Sequence, residues 1–211
     1  MSDSSLGKFF KKLTGAFGSS SATEADRTDE SKGKYTPTEE EPMDTQFARQ
    51  FTTHSGKFLY VQDEAELIVG LNELSKEYNW ELVFIHEQKI RSIADRADVI
   101  WSPEEPENQD AFISSCEFLV AFNGGIIISN NQTDGKALSK LPKTHVVIGY
   151  TSQLVPKMGD AMRGMREKYG EDCPAGITAL SGSVLEGDKE AALDFKQFKK
   201  DVFLFLVEDQ V

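Results

Sequence analysis

Asn123-Gly124-Gly125 joins two apolar runs, Phe118–Phe122 and Ile126–Ser129. Asn and Gly tolerate positive φ, and two successive positions without a Cβ let a backbone approach a ligand closely. The same residues also satisfy a plain hairpin turn, the commonest use of turn glycines. Further on, Lys140, Lys143, Thr144 and His145 stand close together. His145 can orient a carboxylate or phosphate on a ligand, with Lys140 or Lys143 supplying charge. The structural alternative for His145 is a histidine hydrogen-bonded at the base of a buried strand, because buried polar groups need partners anyway. Asn130–Lys140 carries Asn130, Asn131, Thr133, Asp134 and Lys136. It is long enough to fold over a small ligand or to run as a solvated connection. Ser181-Gly182-Ser183 offers either backbone N–H groups to an anion or a turn.

The remaining chemistry-bearing residues are dispersed. His54 ends an expected helix, where the dipole favours it. His86 ends an expected strand and reads as a polar edge residue before it reads as a catalyst. Glu117 and Asp134 are the carboxylates nearest the turn in sequence. Glu117 reads as the first residue of a strand, the end away from a site in an open α/β sheet. Asp134 reaches a site only if its loop folds back. Cys116 and Cys173 lie far apart, with no neighbouring Cys or His at metal-ligand spacing, so no metal site is expected. The chain carries no P-loop, no G-x-G-x-x-G, no G-x-S-x-G and no H-E-x-x-H. No cofactor follows from the residues.

The elements that must position these groups alternate in type. Phe47 and Phe51 mark a helix that stops near Gly56. Lys57–Val61 reads as a strand. Asp63 and Glu66 open a helix buried along Leu67, Leu71 and Leu74. Leu82–His86 is a strand, Gln88–Arg96 a helix and Asp98–Trp101 a strand. Ser102–Gln109 is a loop, and Asp110–Ser115 is expected to be a helical turn feeding the hairpin. Val146–Gly149 is a buried strand and Val155–Tyr169 a helix whose Met158, Met162 and Met165 act as core filler. Ala175–Leu180 reads as a strand, Lys189–Lys199 as a helix and Val202–Val207 as a fully buried strand. This alternation gives an α/β fold with a largely parallel sheet and a central β-hairpin.

Three segments are expected: a basic amphipathic stretch over residues 1–18, an acidic disordered linker over 19–42, and an α/β domain over 43–211. Leu6, Phe9, Phe10, Leu13 and Phe17 recur at helical spacing beside Lys8, Lys11 and Lys12, so Leu6–Phe17 can make weak membrane-surface contact or dock on a partner. Ser19–Pro42 is too polar to offset its chain entropy by burial. The formal net charge of −12 argues against nucleic-acid binding, which needs a basic surface. No apolar stretch reaches membrane-spanning length and no secretory signal is evident, so a cytoplasmic location is expected.

A strand, a Gly turn, a second strand, a polar loop, Leu141-Pro142-Lys143-Thr144-His145 and a further strand resemble the core of the LUD family, known from lactate utilisation protein C. Gln153-Leu154-Val155-Pro156 leading into a helix also resembles it, and the match is best over 116–170. The resemblance implies a three-layer Rossmann-like sheet of the NagB/RpiA/CoA-transferase-like type. It also implies an accessory role in oxidising L-lactate to pyruvate with iron–sulfur partner proteins. This subunit would bind a small anionic ligand or assemble the complex, with Asn123, Gly124, Gly125, Lys140, Lys143, Thr144 and His145 as ligand-binding candidates. Fold analogy offers a second reading, a small-molecule enzyme such as a sugar-phosphate isomerase, CoA-transferase or folate cyclo-ligase relative. A third is a membrane-surface or scaffolding protein acting through its N-terminal segment. The chain departs from the family pattern at the turn. Many members carry roughly Ala-Glu-Thr-Gly-Thr where this chain has Ala121-Phe122-Asn123-Gly124-Gly125. Any role of that acid then falls to Asn123 or to a residue elsewhere.

Overall fold

The computed structural model describes residues 41–180 and 200–209. The N-terminal amphipathic stretch, nearly all of the linker, Ser181–Ser183 and the helix expected at Lys189–Lys199 lie outside the described residues.

Among the described residues, six strands form a parallel sheet in the order β1-β10-β7-β4-β2-β3. They are β1 (Lys57–Val61), β2 (Val83–Phe84), β3 (Trp101–Ser102), β4 (Ala111–Ser115), β7 (Thr144–Tyr150) and β10 (Asp201–Val207). β7 and β10 lie inside the sheet and are buried on both faces, which explains their near-continuous apolar runs. One face packs Val83, Ile113, Val146 and Phe203 against α2 (Glu64–Glu77) and α3 (Gln88–Arg96). Asp63 caps α2 by accepting from Glu66 N at 2.8 Å, and Glu66 accepts in turn from Gln62 N at 3.0 Å.

The opposite face packs Val147, Leu204 and Leu206 against α1 (Met43–Thr53) and a second sheet. That sheet has the order β8-β5-β6-β9, from β5 (Phe118–Val120), β6 (Gly125–Ile128), β8 (Leu154–Val155) and β9 (Thr178–Leu180). Its outer side meets Ala161 and Met162 of α5 (Met158–Tyr169). The expected hairpin therefore exists as the β5–β6 pair, but in a sheet of its own stacked on the parallel one.

Asp110–Ser115 is not a helical turn. Ala111–Ser115 is β4, hydrogen-bonded between β7 and β2 near the middle of the sheet. A short apolar run between polar residues carries no decisive period, so the two neighbouring strands settle its conformation. Asp110 immediately precedes β4. Its carboxylate accepts from Glu81 N at 2.7 Å and Leu82 N at 3.1 Å and so fixes the entry to β2. In the polar loop, Asn130–Thr133 forms a helical turn, α4.

Candidate functional site

β2 and β4 are parallel neighbours, with Val83 beside Ala111 and Phe84 beside Phe112. The residues leaving their carboxyl ends, His86-Glu87 and Cys116-Glu117, therefore emerge side by side. In open α/β sheets this is where ligands bind.

Two carboxylates meet there in different environments. The Glu117 side chain is wholly buried. It accepts from Ser129 Oγ at 2.8 Å, Gln132 Nε2 at 3.1 Å, Lys168 Nζ at 2.8 Å and Tyr169 OH at 2.9 and 3.1 Å. Ser129 is the N-cap of α4, and Gln132 Oε1 accepts from Ser129 N at 2.7 Å. The local capping chemistry of Ser129-Asn130-Asn131-Gln132 thus also aims two donors at Glu117. Burial opposes ionisation of Glu117, but the bonds from Lys168, Ser129, Gln132 and Tyr169 outweigh it and hold the carboxyl below its ordinary range.

Glu87 is partly buried, and among the described residues both hydrogen bonds to its carboxylate come from Ser115. Oε2 accepts from Ser115 N at 2.7 Å and Oε1 from Ser115 Oγ at 2.5 Å. Burial pushes its carboxyl above the ordinary range, the Ser115 bonds only partly offset this, and the Glu117 charge adds to the rise. Gln132 Nε2 also reaches Ser115 Oγ at 3.4 Å, so the two carboxylates share one network. Cys116 is buried beside them, 3.6 Å from Gln153 Oε1, and burial pushes its thiol up, away from nucleophilic thiolate.

The polar loop folds back over this end of the sheet. Asp134, in the left-handed conformation (φ 54°), lies 3.6 Å from His86 Nδ1 and pairs with Lys136. Among the described residues, no group of three His, Cys, Asp or Glu side chains is placed to hold a metal ion.

The residues singled out from sequence go elsewhere. His145 is wholly buried near the amino end of β7, stacked on Phe112 at 4.3 Å between ring centres. Its Nε2 lies 2.8 Å from Ser114 Oγ. Ser114 Oγ also donates to Ser115 O at 2.9 Å, and His145 Nδ1 has no hydrogen-bond partner among the described residues. Burial lowers the imidazole to about 3, aided by the nearby Lys200 charge. Thr144 begins β7 and Lys143 pairs with Asp201 at 3.6 Å. Lys140 pairs with Glu107 at 3.0 Å, beside a surface cavity of about 370 Å³ lined by Glu105, Pro106, Glu107, Asn108, Lys136 and Lys140. Asn123 Oδ1 accepts from Gly125 N at 3.1 Å. A Cβ on Gly124 (φ +64°) would fall 2.4 Å from Phe51 N, so the close approach at this turn is to the backbone of α1. The turn and the Lys140–His145 stretch do not converge. The stretch lies at the amino end of the parallel strands, and the turn lies at one end of the second sheet.

Glu117 corrects a sequence expectation. It does precede β5, but it also follows β4 with only Cys116 between, which puts it at the carboxyl end of the main sheet. Misassigning Asp110–Ser115 hid that position. Glu87, Ser115, Lys168 and Tyr169 were missed. A carboxylate directly after an expected strand was the available signal for Glu87, whereas nothing in sequence singles out Lys168-Tyr169 at the end of a helix.

The fold and this site define an α/β protein with a polar cluster at the carboxyl ends of an open parallel sheet. Residues 85–207, more than half of the chain, match the LUD domain, and the chain belongs to that family. It is 30% identical over 90 residues to lactate utilization protein B of Bacillus subtilis (strain 168), covering 41% of this chain and 19% of that protein. It is 29% identical over 102 residues to lactate utilization protein C of Anoxybacillus flavithermus (strain DSM 21510 / WK1), covering 44% and 46%. The chain thus spans about a fifth of the first relative and under half of the second. A crystal structure of a DUF162 family protein from Deinococcus radiodurans superposes with a TM-score of 0.58 at 16% identity, covering 79% of this chain and 96% of that one, and shares the fold. No described helix is long and apolar enough to cross a membrane.

Proposed function

We propose that this chain is an accessory LUD-domain protein serving lactate utilisation, and that it binds a small anionic ligand where β2 and β4 end. The relatives named lactate utilization proteins B and C support the first part. The second rests on one observation. Glu117 is saturated with donors and acts as an anchor, while Glu87 and Ser115, on the same network, are only partly buried at the strand ends, where open α/β sheets bind ligands. The chain acts with other lactate-utilisation proteins, iron–sulfur proteins among them, which carry the electrons.

A thermal-shift panel on the full chain tests this, using lactate, pyruvate, sugar phosphates, ATP, acyl-CoA and folates. A ligand at about 100 times its Kd adds roughly 2.7 kcal/mol, a readable rise in Tm. Glu87→Ala is expected to abolish the shift, and Lys143→Ala to leave it intact. No shift with any ligand on folded protein removes the binding role and leaves assembly of the complex.

The Glu87–Glu117 pair also favours a second reading, a small-molecule enzyme of the NagB/RpiA/CoA-transferase-like type. Paired carboxylates pushed apart in ionisation mark acid/base assignments. Exchange of pyruvate methyl protons in D2O, faster with the protein and slow with Glu87→Gln, would support it. Exchange at the buffer rate would remove it. A membrane-surface or scaffolding role for Leu6–Phe17 is tested by liposome flotation with and without residues 1–42.

A further inference from the structure

We propose that the cavity between the polar loop and the β3–β4 loop binds a zwitterion of the α-amino-acid class, at a site separate from the one at the ends of β2 and β4. The ligand's ammonium pairs with Glu107, its carboxylate pairs with Lys140, and its side chain lies against Pro106.

The cavity has a volume of about 370 Å³, within the range of small-molecule sites. Lys136 and Lys140 wall it from the polar loop, and Glu105, Pro106, Glu107 and Asn108 wall it from the other. The second wall owes its shape to one residue. Glu105 holds left-handed backbone (φ 46°), which costs a residue with a Cβ, and it leads the chain into the helical turn Pro106–Asn108. Gln109 closes that turn from its buried side. Its Nε2 donates to Glu104 O, and its N donates to Pro106 O at 3.2 Å. Gln109 Oε1 is buried with no partner among the described residues, so this turn carries an acceptor left over for a cation.

Charge selects the ligand. The two lysines and two glutamates of the lining balance, but they differ in how firmly they are held. Lys136 pairs with Asp134 and lies over the Phe84 ring, 5.3 Å from its centre, so it is a fixed positive wall. Lys140 and Glu107 pair with each other at 3.0 Å, one from each loop and each more than half exposed. Such a pair is worth little in water and opens readily. A monoanion taking Lys140 strands Glu107 beside it, with Glu105 adding to the repulsion. A cation taking Glu107 strands Lys140 beside Lys136. A zwitterion replaces one protein pair with two and strands neither. Pro106 and the aliphatic stems of the lysines give its side chain an apolar surface.

The test is an amide-resolved NMR titration of the full chain with L-leucine, N-acetyl-L-leucine and L-leucinamide. These carry both charges, only the negative and only the positive. The anions offered to the other site include no free α-amino acid, so the two sites are read separately. L-leucine is expected to give saturable shifts at the Glu105, Glu107, Asn108, Lys136 and Lys140 amides, and either singly charged probe to bind about fivefold or more weakly. Glu107→Gln and Lys140→Gln, both at exposed positions, are expected to change the order. The first removes the group that repels N-acetyl-L-leucine and the second the group that repels L-leucinamide, so each variant should bind that probe at least as well as L-leucine. Glu87→Ala is expected to bind L-leucine as the wild type does. Absence of saturable shifts at the cavity, equal affinity for the three probes, an order unchanged in the two variants, or shifts confined to the Glu87 and Ser115 amides would overturn the proposal.

Discussion

At the carboxyl end of the main sheet, four side chains converge on the buried Glu117, and Glu87 shares their network. At the amino end of β7, Lys143 is 75% exposed and paired with a surface carboxylate while His145 is wholly buried; Lys140, on the preceding loop, is 63% exposed and paired in the same way. The two ends share residue types and differ in solvation. Exposed pairs are screened and contribute little. The same pairing under burial becomes costly to break, because a lost partner leaves a desolvated group behind. Charge density along the chain points to the amino end. Burial singles out the carboxyl end, where Glu117 is held by a saturated network.

The largest effect that can break this contrast comes from Glu117. Glu117→Ala removes the acceptor from Ser129, Gln132, Lys168 and Tyr169 together; Lys168 is half exposed and can be solvated, but the buried Ser129 and Gln132 donors lose an acceptor, at a cost on the order of 3 kcal/mol in all. A fall in Tm of roughly 10 °C is expected by calorimetry. A change close to zero would mean that the network is ornamental. Because the folded carboxyl lies below its ordinary value, its contribution is present above about pH 4.5 and is lost as pH falls through the lowered value.

His145 gives the next effect. Its folded value of about 3 lies below the ordinary 6.5, so between them the unfolded chain binds the extra proton and stability rises with pH. Going from pH 7.5 to pH 5 should therefore cost about 2 kcal/mol from this residue alone. Glu87 acts in the opposite direction: its raised value gives the folded state the extra proton, so its contribution falls as pH rises through that value. Denaturant titrations of the wild type and His145→Leu at the two pH values separate the terms. The acid loss should shrink by about 2 kcal/mol in the variant. An unchanged loss would mean that His145 is not the buried, neutral residue described.

The smallest effect belongs to the exposed lysines. Lys140→Ala and Lys143→Ala should each change stability by less than about 0.5 kcal/mol and leave any ligand-induced thermal shift in place. Loss of the shift in either would return the ligand site to the amino end.

Much of the fold was legible in the sequence, because burial follows local periodicity. Lys57–Val61 and Gln88–Arg96 have the expected bounds, and Val202–Val207 falls within β10. The buried stripe of Leu67, Leu71 and Leu74 follows from helical spacing alone. β4 was misread because its short run Ala111-Phe112-Ile113 fits more than one conformation, and hydrogen bonds to β7 and β2 choose between them. Gly124 was correctly placed in a turn, yet its close approach is to Phe51 of α1, a contact with no local signature.

By itself, the sequence determined which segments are apolar, where turns and caps fall, and that strands alternate with helices, because these follow from side-chain chemistry over a few neighbouring residues. Only the tertiary structure decided that β2 lies beside β4, that the hairpin forms a separate sheet, and that Glu87, Ser115, Glu117, Gln132 and Lys168 share one network. Strand order comes from pairings between distant parts of the chain, and the site exists only where those pairings bring strand ends together.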